Sequence, residues 1–243
     1  MKDARYMEIR KMTNQPGGIL EVKDGLLDRL MRALENRYEK RKREGIHYSE
    51  LIYCPRQALL RRMDPKPIKL REMMFFFIGE CVHRGIEDLL KEDDPRVEIE
   101  KQVYYKDMIG TIDSVVDNTV CEYKTTWSSK DTLKEHYRDQ DEGYAAIGGY
   151  NKGKVLIVML QWILKGIIPF KVHEINLTDE DNKKRLEWID KELESYRIAL
   201  DKNDWKLARP VVGTSMEWKC AKGTEYECPW LEMCHDYEQK KAA

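Results

Sequence analysis

No apolar run in this 243-residue chain reaches the ~20 residues needed to cross a bilayer; the longest, Val155 to Leu164, is interrupted by Gln161. A spanning helix is excluded, and no membrane partner is expected. The opening Met1-Lys-Asp-Ala-Arg-Tyr6 lacks the apolar stretch of a secretory signal, which predicts a reducing, cytoplasmic setting. The six cysteines include no CxxC pair, which argues against a zinc ribbon. In a reducing compartment they are expected to be buried, metal-bound or catalytic rather than disulfide-bonded. An excess of charge of one sign is also missing: Lys+Arg 43 against Asp+Glu 44 leaves a net charge of -1. Any nucleic-acid site must therefore come from local clustering, although charged residues, at 36%, exceed the ~25% of an average domain. The length suits one large domain or one domain with an appendage.

What is present has a clear order. Residues 1 to 22 carry Asn14-Gln-Pro-Gly-Gly18 and no periodicity, a loosely held lead-in. Leu26, Leu27, Leu30, Met31 and Leu34 recur at helical spacing before the charged tail Glu39-Lys-Arg-Lys-Arg-Glu44, which reads as the solvated end of a surface helix or as a DNA-touching arm. From Tyr48 the pattern is that of a packed α/β domain. Ser49 is expected to cap a short helix, and Pro55 to open another through Leu60. Residues 73–90 read as a helix carrying Gly79, Cys81 and His83. Residues 97–105, 110–116 and 119–126 read as three consecutive strands, rich in β-branched and aromatic residues. A helix is predicted over 130–150, a second hairpin over 155–164 and 170–175 around Lys165-Gly166, and a long helix capped by Thr178 and ending near Lys202. The last forty or so residues hold three cysteines and little regular pattern, as expected of a segment organised by a ligand.

The most informative stretch is Gly110-Thr-Ile-Asp-Ser-Val-Val-Asp-Asn-Thr-Val-Cys-Glu-Tyr-Lys124. A tight turn at Asp117-Asn118 sets Val116 across from Thr119 and, continued stepwise, Asp113 directly opposite Glu122. Side chains alternate along a strand, so Lys124 emerges on the face of Glu122. Facing carboxylates with Cβ atoms ~5 Å apart repel, and a divalent cation between them removes the conflict. Few hard oxygen ligands suit Mg²⁺ or Mn²⁺, an ion that polarises a scissile phosphate, with Lys124 placed to neutralise developing charge. The alternative is a surface hairpin whose three charges face solvent. The apolar flanks Val115 and Val120 on one face, with Ile112, Val116 and Cys121 on the other, suit a strand pair buried on both sides and weaken that alternative.

Gly79 and His83 stand one helical turn apart, so a close backbone approach at the glycine leaves the imidazole free as a ligand, or simply as a packing histidine. Glu98 and Glu100 are candidate outer carboxylates or solvated strand charges. His136, Gln140 and Tyr144 form a polar and aromatic stripe that suits either DNA contact or an amphipathic helix lying on the sheet. Cys54 stands early and Cys220, Cys228 and Cys234 late; together they suit four-coordinate metal chemistry, an iron-sulfur cluster tolerating wide gaps better than zinc, or else are unrelated thiols. Cys81 and Cys121 are expected to be small buried side chains.

The order Cys54-Pro-Arg, Gly79-x-x-x-His83, Gly110-x-x-Asp113, Glu122-x-Lys124, Gln140-x-x-x-Tyr144 and the terminal cysteine triplet resembles the CRISPR-associated Cas-four exonucleases, iron-sulfur members of the RecB-like PD-(D/E)XK nucleases. The resemblance spans about residues 48 to 238. It implies a restriction-endonuclease-like α/β fold: a central mixed sheet flanked by helices, with an extension over 1–45, a nuclease core over 46–204 and a cluster-binding segment over 205–243 closed by Cys54. It further implies Mn²⁺ or Mg²⁺ on His83, Asp113, Glu122 and the main-chain carbonyl of Tyr123, with Lys124 as catalytic lysine. Gln140 and Tyr144 lie beside the site and on the DNA path. Cys54, Cys220, Cys228 and Cys234 are implied ligands of a structural [4Fe-4S] cluster. The implied activity is single-stranded DNA exonuclease action, trimming spacer precursors beside CRISPR integrase proteins.

The same residues fit a RecB-like nuclease of viral replication or DNA repair. A non-catalytic iron-sulfur DNA-binding module is the rival from another class; it does not require carboxylates near phosphate. Arg56, Arg61, Arg62 and Lys40-Arg41-Lys42-Arg43 are the candidate phosphate contacts, against ordinary surface charge.

Overall fold

The computed structural model describes residues 25–38, 44–128, 132–211, 214–223 and 227–242. The chain forms two units, residues 1–42 with 68–73, and residues 43–67 with 74–243. In the first, the leucine spacing forms helix α1 (Gly25–Tyr38), with Arg37 favourably placed in its last turn. The expected lead-in over 1–22 and the Lys40–Arg43 run lie outside the described residues.

The second unit is built on a six-stranded mixed sheet of order β1-β3-β4-β5-β6, with β2 also paired to β3. The strands are β1 (Ile46–His47), β2 (Glu98–Tyr105), β3 (Met108–Val116), β4 (Thr119–Thr126), β5 (Lys152–Met159) and β6 (Phe170–Asn176). Around them run α2 (Tyr48–Ile52), α3 (Pro55–Met63), α4 (Leu70–Asp93), α5 (Glu135–Gly148), α6 (Leu160–Ile163), α7 (Asp179–Asp201) and α8 (Leu231–Ala242). β4 and β5 are parallel, from Val120↔Gly153 to Thr126↔Met159, and the connection between them is long enough to hold α5.

The helices α2, α5 and α7 supply Tyr48, Leu51, Tyr144, Ala145, Ile189, Leu193, Tyr196 and Ala199 to a core closed from the sheet side by Val103, Met108, Ile112, Val115 and Val120. Each valine, leucine, isoleucine or methionine among them contributes roughly 1.5–3 kcal/mol on leaving water. Approach is close at Gly143 of α5, where an added Cβ would lie 1.7 Å from the hydroxyl of the fully buried Tyr48. That hydroxyl donates to the Asp139 carbonyl at 2.9 Å.

Several boundaries depart from the sequence expectation. Helix α2 is capped by His47, two residues earlier than the expected Ser49, because the Glu50 side chain accepts the His47 N–H at 3.3 Å. Helix α5 begins at Glu135 rather than 130. The run from Val155 stays extended only to Met159, whose N–H goes to Pro169 O at 2.8 Å; proline offers no N–H in return, and the chain turns into α6. Two residues were too few to reveal β1. Thr178 caps α7 as expected, its hydroxyl accepting the Asp181 N–H at 3.1 Å. Among the described residues no helix is long and apolar enough to cross a membrane.

Candidate active site

Asp117 and Asn118 have φ of 47° and 57°, the left-handed pair that a two-residue hairpin turn demands. The β3–β4 ladder then runs through Val116↔Thr119, Val115↔Val120 and Ser114↔Cys121, and stops. The expectation that Asp113 and Glu122 form the next ladder pair is thus corrected. The free edge of β3 is taken further along by β1, at Ile46↔Met108, and the Asp113 carboxylate itself accepts the Tyr123 main-chain N–H at 2.7 Å. On the other edge, β2 pairs at Ile99↔Ser114 and Lys101↔Ile112, while the intervening Glu100 has φ 47°. Asp113 therefore sits where the sheet parts on both sides. The register and the two-residue alternation still put Asp113, Glu122 and Lys124 on one face.

Glu122 is 1% exposed; its Oε2 accepts from Lys124 Nζ at 2.8 Å, and its Oε1 has no partner. Burial first, then the Asp113 charge, push its pKa up to about 8 against the pull of Lys124. Burial would raise Asp113 as well, but His83, Lys124 and the Tyr123 N–H outweigh it and hold that carboxyl below the ordinary range. Burial disfavours the Lys124 ammonium, yet Glu122, Tyr53 and Asp113 more than compensate and keep it protonated. Helix α4 brings His83 Nδ1 to 3.7 Å from Asp113 Oδ1. At Gly79, one turn earlier, an added Cβ would come within 3.3 Å of Thr125 Oγ1, so the glycine lets α4 lie close to β4.

An unpartnered buried carboxylate oxygen beside a second acid is what a cation relieves, and two carboxylates with an imidazole suit a hard divalent ion. On donor chemistry these residues fit Mg²⁺ or Mn²⁺. Among the described residues, no three His, Cys, Asp or Glu side chains are gathered at the spacing of a closed metal centre.

Three neighbours were not singled out by sequence. Tyr53 donates to Gln140 Oε1 at 2.9 Å, and Gln140 Nε2 donates to the Tyr144 hydroxyl at 3.3 Å. Gln140 and Tyr144, the candidate DNA contacts, are buried, 7% and 4% exposed. Glu87, four residues after His83, is a further carboxylate whose pKa burial raises, with Glu100 and Asp113 adding to it; its spacing from His83 was the signal available. Asp141 is fully buried, with its Oδ2 where a Cβ on Gly153 would be. Glu98 is engaged by Lys101 at 2.8 Å, and Glu100 is exposed.

The arginines divide. Arg56 is 4% exposed, donating from Nε to Ala208 O at 2.8 Å and from Nη1 to Glu238 at 2.5 Å, so it fastens α3 to the C-terminal segment instead of meeting phosphate. Arg62 reaches Glu50 at 2.8 Å and Gly45 O at 2.7 Å. Arg61 is exposed.

Cys54 caps α3, its sulfur accepting the Gln57 N–H at 3.4 Å, while the Gln57 side chain donates to Cys228 Sγ at 3.7 Å. Burial, followed by the neighbouring thiols Cys228 and Cys54, pushes Cys234 up to about 12. Cys220 rises to about 11 by burial, then Cys54 and Cys228. The early cysteine and the late triplet therefore share one neighbourhood, although among the described residues no three of these sulfurs are gathered at metal-binding spacing. Nearby, Trp230 Nε1 donates to Asp64 O at 3.1 Å and Lys66 to Pro229 O at 2.8 Å. Cys81 is exposed on α4, not buried as expected, because the residues four before and after a helical position share its face and this one looks outward; Cys121 is half-buried.

The fold is similar to the solved structure of SSO0001, with a TM-score of 0.58 at 18% identity over 88% of this chain and 98% of that one. Weaker overlaps relate it to LHK-Exo in complex with dAMP, with a TM-score of 0.48 at 12% identity over 65% of this chain and 90% of that one. A phage related exonuclease from Haemophilus somnus 129PT gives a TM-score of 0.40 at 11% identity over 57% of this chain and 77% of that one. No family model and no curated protein matches the chain. The first overlap establishes a shared fold.

Proposed function

We propose that this chain is a metal-dependent deoxyribonuclease of the PD-(D/E)XK type. The observation that carries the reading is the meeting of Asp113, Glu122 and Lys124 on one face where β3 and β4 separate, with His83 at 3.7 Å from Asp113. Mn²⁺ or Mg²⁺ would be held by His83, Asp113, Glu122 and the Tyr123 carbonyl, and would supply positive charge against the scissile phosphate. Asp113 is held in place by the Tyr123 N–H. Lys124, fixed at 2.8 Å from Glu122, sets an ammonium where negative charge grows on the phosphoryl oxygens. Hydrolysis joins a water oxygen to phosphorus and breaks the bond to a sugar oxygen, which leaves with a proton.

The order of motifs extends the proposal to exonuclease action on single-stranded DNA and to trimming of spacer precursors beside integrase proteins in a cytoplasmic CRISPR system. It also makes Cys54, Cys220, Cys228 and Cys234 ligands of a [4Fe-4S] cluster that clasps residues 205–243 to the nuclease core. In the test, purified protein with Mn²⁺ degrades labelled single-stranded DNA and Asp113→Ala does not; equal degradation by both overturns the site. A brown anaerobic preparation containing iron and labile sulfide supports the cluster, and a colourless zinc-loaded protein refutes it while leaving the nuclease reading in place.

A further inference from the structure

A cavity of about 520 Å³ opens beside the acidic cluster. Its wall includes Phe75, Trp127, His136, Tyr137, Ser215 and Trp218. We propose that it seats an unstacked nucleobase of single-stranded DNA, belonging to a nucleotide next to the phosphate being cleaved. The proposal rests on the nuclease reading and names how that site holds its substrate.

Three observations tie the cavity to the chemistry. Thr125 and Thr126, which also line it, directly follow Lys124 on β4, and Gly79 lines it one helical turn before His83. Tyr137 belongs to both places: it forms part of the wall, and Lys124 Nζ lies 5.7 Å from its ring centroid. Exposed Lys134 lies over the same ring at 5.4 Å, so a cation stands at the wall where a sugar-phosphate backbone would leave. Phosphate at the acids and a base in the cavity are thus reachable by one nucleotide step.

The lining suits a base better than an aliphatic group. Trp127 and Trp218 remain 46% and 44% exposed, large flat rings at the cavity wall. Every base presents a π-face, so such a seat is tolerant of sequence. His136 supplies the polar element. It is 5% exposed, its Nδ1 has no hydrogen-bond partner, and burial, then Lys134, Lys219 and Lys124, hold its pKa down at about 4, so the ring is neutral and able to meet a base edge. The volume lies within the roughly 300–1,000 Å³ of small-ligand sites and accommodates one base with its sugar.

The test compares a short oligothymidylate with an oligomer of the same length built from abasic sugar-phosphate units, binding each to the full-length protein in EDTA and reading fluorescence anisotropy. Wild type should prefer the oligomer with bases. Trp127→Ala should reduce that preference by about 5- to 100-fold, the range of one lost aromatic stack, while Trp127→Phe retains most of it. Ser215→Trp, which fills the cavity without touching the acids, should abolish the preference at an unchanged melting temperature. A preference that survives both Trp127→Ala and Ser215→Trp overturns the proposal, as does finding that these variants only dissociate a dimer or release a bound peptide. The two readings fail separately: with Mn²⁺, wild-type cleavage that Asp113→Ala does not abolish sinks the nuclease reading, whereas Asp113-dependent cleavage with base-indifferent binding sinks only the cavity's role.

Discussion

The Tyr123 main-chain N–H is donated to Asp113 Oδ2 at 2.7 Å, a side chain taking the place of a strand partner where the β3–β4 ladder ends. One carboxylate oxygen is thereby spent on orientation, and Oδ1 is left toward His83.

Asp113→Asn keeps the shape of this residue and removes its charge. Cleavage of single-stranded DNA is expected to fall by at least ~10²-fold, with the melting temperature within a few degrees of wild type. Stopped-assay kinetics and thermal melting on the same preparation check both halves; a variant that cleaves normally removes Asp113 from the chemistry.

Asp141 makes stability fall as pH rises. Burial first raises its pKa to about 7 from 3.8, with Glu142 and Asp113 adding to it and the charge of Lys124 and the nearby Lys154 N–H offsetting only part. A carboxyl raised on folding contributes its stabilisation fully below the unfolded value, and loses it as pH climbs through the folded one. The wild type should therefore lose up to ~4 kcal/mol between about pH 4 and pH 7 relative to Asp141→Asn. Melting curves of the two proteins across that window should diverge with rising pH; parallel curves would show that the carboxyl is not strained.

Gly143→Ala and Gly85→Ala should act in opposite directions although both lie in helices. A Cβ at Gly143 would stand 1.7 Å from the Tyr48 hydroxyl, whereas one at Gly85 meets nothing within 4 Å. The first is expected to cost about 1–3 kcal/mol or more through overpacking, the second to gain up to ~1 kcal/mol from helix propensity. Urea denaturation measures both.

Cys54→Ala should lower the melting temperature more than Cys81→Ala, because Cys54 caps α3 and sits among the late thiols while Cys81 is exposed. The same variant should lose bound iron and sulfide if the cluster proposal holds. Equal melting temperatures for both variants would place Cys54 outside any structural clasp.

The local rules were legible wherever a residue's own geometry decides the outcome. The left-handed turn at Asp117-Asn118, the Thr178 cap, Pro55 at the start of α3 and the period-two alternation of β3 and β4 all follow from short-range sterics and hydrogen bonding. Arg56 shows where that reading ends: a basic residue in a charged stretch reads as surface, and only the return of Ala208 and Glu238 from far along the chain makes it interior.

By itself, then, the sequence determined most of the longer elements, the hairpin and which three charged side chains share a face of it, since backbone dihedrals and side-chain alternation are local properties. The tertiary structure alone decided that the ladder stops at Ser114↔Cys121, that Gln140 and Tyr144 lie buried, and that Trp127, Tyr137 and Trp218 line one cavity. Those outcomes depend on how distant segments compete for one strand edge and one volume, a competition that spacing along the chain does not record.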